Sequence, residues 1–164
     1  MENNKQSVKS VLLVSSVVAM ALGVLVMVGG FSGICLTYLS VSMEKITTPE
    51  DAVIPNVQVR GPLTLMSQSN IIREHMLKQA GGKTYSEMPR EIAKLDADGN
   101  PVVDADGKPV MTPNVARTTW VTATALMTAL HLGVLAYALS SFVVFVGFLL
   151  VMMGIMFLSI RRVL

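Results

Sequence analysis

The chain has 164 residues, 52% of them hydrophobic and 15% charged, with a formal net charge of +2. That balance fits a membrane protein rather than a soluble domain, and so small a charge, without a basic run interleaved with aromatics, excludes a nucleic-acid binder. The single cysteine, Cys35, excludes an intramolecular disulfide and a cysteine-based zinc site.

Residues 1–9 form a short tail with Lys5 and Lys9 against Glu2. Residues 10–43 then run for 34 positions without a formal charge. A hydrocarbon core needs about 20 apolar residues in a helix, and residues 11–30 supply them over about 30 Å. The helix is expected to start near Ser7 or Ser10. Cys35 lies inside this run and reads as a reduced, buried small hydrophobe. Residues 31–43 are more polar, with Ser32, Thr37, Tyr38, Ser40 and Ser42, and are expected to rise beyond the membrane with Tyr38 at the interface. A cleaved signal peptide competes for this run. Its apolar stretch is longer than a signal core, and Ser40-Val41-Ser42 is its one tolerable cleavage site, so a retained helix is the better reading.

Residues 44–117 carry nine basic and ten acidic side chains. Pro49 and Pro55 break residues 45–59 into extended or irregular backbone. Residues 65–79, with Leu65, Met66, Ile71, Ile72, Met76 and Leu77, predict an amphipathic helix, ended by Gly81-Gly82 as a C-cap. Thr84-Tyr85-Ser86-Glu87 has capping-box spacing and predicts a short helix over 85–94, with Pro89 in its first turns. An internal repeat follows: DADGNPVV at 96–103 and DADGKPVM at 104–111. Its Asp-Gly pairs predict a hairpin or tandem turns.

Residues 118–160 are 43 positions without a formal charge, closed by Arg161 and Arg162. Residues 132–160 are strongly apolar, whereas 118–131 carry five threonines and His131. Arg117, Thr124, Thr128 and His131 share one helical face. A helix over 114–161 would be about 70 Å long, more than twice the hydrocarbon thickness. The expected fold is therefore an all-α membrane protein: a two-helix transmembrane hairpin whose long helices extend outside, carrying a small irregular external segment of helix and turns. Basic residues flank both ends, so both termini (1–9 and 161–164) read as cytoplasmic and residues 44–117 as extracytoplasmic.

Small residues point to a packing seam. Gly29 and Gly33 are four apart in the first helix, and Gly133, Ser140, Gly147 and Gly154 recur every seven residues in the last. Such spacing lets helices approach closely. Two helices bury little of their own perimeter. Met20, Met27, Met127, Met152, Met153 and Met156 offer adaptable apolar surface for lipid or a larger integral membrane partner.

Ile46-Thr47, Gly61-Pro62, Asn70-Ile71-Ile72, His75 and the run from Gly81 to Glu87, set between two apolar helices, resemble a family of small actinobacterial membrane proteins. Its members often carry the label "aromatic ring-opening dioxygenase". The resemblance covers most of the chain in layout, and the Asp-Gly repeat departs from it. It implies an accessory subunit of the actinobacterial respiratory supercomplex, with cytochrome bcc and aa3 oxidase subunits as partners. The enzyme label asks for a non-haem iron site of two histidines and a carboxylate, and the two histidines here lie in separate segments.

Gly82-Lys83-Thr84 matches the end of a phosphate loop, but Leu77 stands where its first glycine belongs. Asp96, Asp98 and Asn100 match the first ligands of an EF-hand, yet Pro101 and Gly107 stand where glycine and glutamate are required. A weaker external calcium site from Asp96, Asp98, Asp104 and Asp106 stays open. His131 reads as hydrogen-bonded to a carbonyl or threonine rather than as a haem ligand. His75 and Tyr85 are taken as external contact residues, His75 with a proton-sensitive option. No catalytic, cofactor-binding or metal-ligating set is assigned. The functional expectation is a non-catalytic accessory or assembly subunit; the alternative is a free-standing envelope protein whose external segment binds a ligand or ion.

Overall fold

The computed structural model describes residues 2–163. It is mostly helical, with α1 (Glu2–Met43), α2 (Pro62–Gln79), a 3-10 turn (Tyr85–Glu87), β1 (Glu91–Ala93), β2 (Met111–Pro113) and α3 (Val115–Val163) in chain order. Two helices are long and apolar enough to cross a membrane. At helical rise α1 spans about 63 Å and α3 about 73 Å, each over twice a hydrocarbon core. The chain divides into two compact units: Met1–Ile46 with Arg60–Pro62 and Gly133–Leu164, and Thr47–Val59 with Leu63–Leu132.

In the first unit α1 starts at Glu2, not near Ser7 or Ser10. Glutamate and lysine are good helix formers, and no proline or glycine interrupts residues 2–9. α1 and α3 pack through small residues, while bulky ones such as Leu25, Leu36, Leu139 and Phe142 remain exposed. Cys35 is exposed as well, which corrects its reading as buried: an apolar sequence context does not separate a seam position from a perimeter one.

The second unit is built on short-range devices. Thr48 is buried, and its hydroxyl donates to the Val57 carbonyl and accepts from the Val57 N–H, closing the irregular loop over an isolated bridge, Thr47 to Gln58. α2 begins at Pro62 rather than Leu65. Proline fits the first helical position, where its missing N–H has no partner to lose. α2 buries Leu65, Ile71 and Met76 as its periodicity implies, and also Ser67 and Ser69, while Met66 is exposed. Gly81 and Gly82 take positive φ (61° and 79°), and the Gly82 N–H reaches back to the Leu77 carbonyl at 2.7 Å, the six-to-one bond of a Schellman end.

The helix expected over 85–94 is absent. Only Tyr85–Glu87 is helical, as a 3-10 turn, and Met88 is extended at φ −88°, ψ 134°. Pro89 explains the stop, since a residue preceding proline is pushed out of the helical region. The chain then enters β1, antiparallel to β2, with Ile92 opposite Thr112.

Between those strands the repeat forms tandem turns closed by bridges Leu95 to Pro101 and Val103 to Pro109. Three backbone bonds of 2.8 Å form a ring: Val102 N–H to Lys94 carbonyl, Val110 N–H to Val102 carbonyl, and Lys94 N–H to Val110 carbonyl. The three residues are eight apart, so one repeat length carries the chain from each corner to the next.

The second unit's core joins Met76, Met88, Trp120 and Ala123, with Ile72, Leu77, Ala80 and Ala116 packed against it. Trp120 ties the start of α3 to the end of α2 and to the residue where the 3-10 turn ends.

Candidate functional site

Two regions carry structure that a bare pair of helices does not need: the seam in the first unit and an apolar groove in the second.

The seam is antiparallel and in register. The buried Ser16 donates its hydroxyl to the Gly154 carbonyl at 2.7 Å. A Cβ placed on Gly23 would lie 2.7 Å from the Gly147 carbonyl oxygen and 2.8 Å from the Val151 nitrogen. One on Gly30 would lie 2.8 Å from the Val144 nitrogen and 2.9 Å from the Ser140 carbonyl oxygen. These obstacles are backbone and cannot swing aside, so the two main chains touch where side chains are missing. Ser16, Gly23 and Gly30 on α1 thus face Gly154, Gly147 and Ser140 on α3, both series at seven-residue spacing. Gly33 also meets Ser140, Gly133 is half-buried, and Gly29 has open space around its Cβ position. Of the two glycines at four-residue spacing, Gly33 meets α3 and Gly29 does not, while Gly23 and Gly30 make the closest backbone approaches. The signal that could have found them is the same seven-residue recurrence, running through Ser16. Above the seam Tyr137 is buried and its hydroxyl donates to the Arg60 carbonyl at 2.6 Å.

In the second unit the two histidines have different partners. His75 Nε2 lies 2.7 Å from the Asp51 carboxylate, both side chains about half exposed. This bond is the largest cause holding the Asp51 carboxyl below its ordinary value, opposed by desolvation and aided by the His75 and Lys78 charges. His131 Nε2 lies 3.0 Å from the hydroxyl of the buried Ser69. Its partner is thus a serine of α2, neither of the two kinds expected. Among the described residues no group of three or more His, Cys, Asp or Glu is arranged to hold a metal ion. The repeat's first aspartates are engaged by backbone: Asp96 accepts from Asp98 and Asn100, and Asp104 from Asp106 and Lys108, at 2.8 to 3.0 Å.

Tyr85 belongs to a site with α3. Its ring lies 4.0 Å from the Arg117 guanidinium carbon, a cation–π contact, and its carbonyl accepts a bond from Arg117 Nε at 3.4 Å. The turn presenting it is fixed by the Glu87 carboxylate, which accepts the Thr84 N–H and hydroxyl, each at 2.7 Å. Those bonds, the backbone one first, hold the Glu87 carboxyl below its ordinary value. Beside Tyr85 opens a cavity of about 740 Å³ lined otherwise by α3, from Trp120 and Val121 through Thr124 and Thr128 to Leu132. Ala125 and Ala129 also line it. The threonine hydroxyls donate to their own helix, Thr124 to the Trp120 carbonyl and Thr128 to the Thr124 carbonyl. Their hydrogen atoms are thus spent within the helix. A smaller pocket of about 230 Å³ shares Tyr85 and Val121 with it and is lined by Arg90, Asn114, Arg117, Thr118 and Thr122. The face that groups Arg117, Thr124, Thr128 and His131 in sequence is therefore divided: the first three line these cavities, and His131 turns to Ser69.

Fold and sites together define a class: an α-helical protein with two helices of membrane-crossing length and composition, and a small segment of helix, turns and a two-stranded sheet inserted between them. No protein-family model matches the chain, and comparison with curated proteins and with solved structures likewise gives no match.

Proposed function

We propose that this protein is a non-catalytic accessory or assembly subunit of a larger membrane complex, with both termini cytoplasmic and the inserted segment extracytoplasmic. On the resemblance given above, the complex is the actinobacterial respiratory supercomplex that joins cytochrome bcc to an aa3 oxidase. Lys5, Lys9, Arg161 and Arg162 set the orientation.

One observation carries the reading: more apolar helix surface is exposed than one bilayer covers. Setting the hydrocarbon on residues 11–30 of α1 places it, through the seam register, on residues 140–159 of α3. Leu36, Leu39, Leu132, Leu135 and Leu139 then lie past its edge, each more than half exposed. Lipid tails do not reach that level, whereas helices of other subunits do. Contiguous exposed apolar surface of this kind marks protein interaction sites.

Purification in mild detergent followed by mass spectrometry tests the proposal. Stoichiometric recovery with oxidase or cytochrome bcc subunits is the expected result. Recovery as a lone homo-oligomer removes it.

A further inference from the structure

We propose that two copies of this chain associate through the inserted segment, the three-hairpin face of each seating in the arginine-ended groove beside Tyr85 of the other. The proposal is independent of the partner complex, since such a pair can stand alone or join other subunits.

The hairpin face follows from the backbone ring of Lys94, Val102 and Val110. Residues two apart on extended backbone share a face, and residues paired across antiparallel strands share one too. Ala93 pairs with Met111, Leu95 with Pro101, and Val103 with Pro109. These six residues flank the three corners of the ring, so they close into a circle on one side of it, and every one is apolar. Leu95, Val103 and Met111 are each more than half exposed, and both prolines are exposed. An apolar circle open to water has the makeup of an interface centre. Its rim is acidic. The two Asp-Gly tips carry Asp96, Asp98, Asp104 and Asp106 against Lys94 and Lys108, and none of the four aspartates is in an ion pair among the described residues.

The rim decides the occupant. Two hairpin faces set against each other would oppose their aspartates, and like charges so placed repel. The occupant has to be apolar, with cations beside it and no acid. The same chain carries that surface. Along α3, Val121, Thr124, Ala125 and Thr128 are exposed in the groove with Trp120 beneath them, and the threonine protons are spent within the helix. Their small side chains leave room for the bulkier ones of the hairpin face. Arg90 and Arg117 line the adjoining cavity, and no carboxylate lines either cavity. Neither arginine is in an ion pair among the described residues. Tyr85 has a positioning role, since its ring and carbonyl hold the Arg117 guanidinium. Each copy offers one face and one groove, so a two-fold axis makes the contact twice and closes the pair.

Sedimentation of the full-length protein in mild detergent reads its mass. Wild type should be a dimer at about 0.1 M salt and should weaken at about 1 M, where exposed charges are screened. L95E/V103E should be monomeric, with an unchanged circular dichroism spectrum because both side chains are exposed. R90E should raise the dissociation constant at least about tenfold, the loss expected where a charge-assisted contact turns repulsive. R90E/R117E and D98K/D106K should each be monomeric alone and should dimerise when mixed, since every reversed charge then meets its opposite. A monomeric wild type overturns the proposal, as does a dimer that survives both R90E and L95E/V103E. A mixture that stays monomeric although both variants keep native spectra overturns it too. Co-purification with oxidase subunits does not enter these readouts, so this proposal and the preceding one fail separately.

Discussion

Single side chains in the inserted segment carry separable jobs. Asp51 is held by His75 across 24 residues of sequence. Its folded value lies below the ordinary aspartate value of about 3.9. A depressed carboxyl stabilises the fold fully above the unfolded value, and that contribution is lost as pH falls through the folded one. Asp51→Asn should therefore lower the melting temperature slightly at about pH 6, and the gap to wild type should close below about pH 3.9. A gap that widens in acid would contradict the assignment. Gly107 makes a second residue-scale case. Its φ of 76° is a left-handed value that costs an L side chain roughly 1–2 kcal/mol. Gly107→Ala should thus destabilise the turn although nothing lies near its Cβ position, whereas Ala105→Gly should not strain it.

At the scale of elements, the seam sets glycine against glycine, and neighbouring positions give opposite predictions. Gly30→Ala drives a methyl into the backbone of α3; overpacking of this kind costs about 1–3 kcal/mol. Gly29→Ala meets open space and gains about 1 kcal/mol of helix propensity. Thermal unfolding in detergent should separate the two variants by several degrees in opposite directions, and equal effects would count against the register. Gly147→Leu and Gly154→Leu should splay the pair more strongly and weaken any assembly that needs it.

The same elements show what the sequence made legible. The α3 stripe is visible because its four small residues stand among bulky ones. Its α1 counterpart is harder to see: four-residue spacing selects Gly29 and Gly33, of which Gly33 meets Ser140, and passes over Gly23 and Gly30. The two long helices are legible from uncharged length alone. β1 and β2 are not, because three-residue strands lack a period to read and Thr84–Glu87 mimics a helix start that Pro89 then cancels. The apolar groove needs Tyr85 and Trp120 brought together from 35 positions apart, and no local pattern announces that.

For the whole molecule, the proposed arrangement makes a topological prediction that Cys35, the sole cysteine, makes simple to test. In a Cys35→Ser background, a cysteine replacing Asp98 should react with a membrane-impermeant maleimide on intact cells. One replacing Ser7 should react only after permeabilisation. The reverse pattern would invert the orientation and remove the supercomplex proposal with it. Both helices are longer than a bilayer requires, and on the proposed function the excess length serves contacts with neighbouring subunits outside it.

The regular beat of the two small-residue series works like a vernier. Because each repeats every seven residues, sliding α1 along α3 by one beat, about 10 Å, brings gaps opposite gaps again: Gly23 against Gly154, Gly30 against Gly147. Close approach alone thus leaves several nearly equivalent alignments. What singles out one is the bond of Ser16 to Gly154 at one end and, past the other, that of Tyr137 to Arg60, whose guanidinium donates to Tyr38 of α1. Those hydroxyls act as detents on an otherwise slidable track. A partner that competed for either would loosen the hairpin lengthwise without prying it apart.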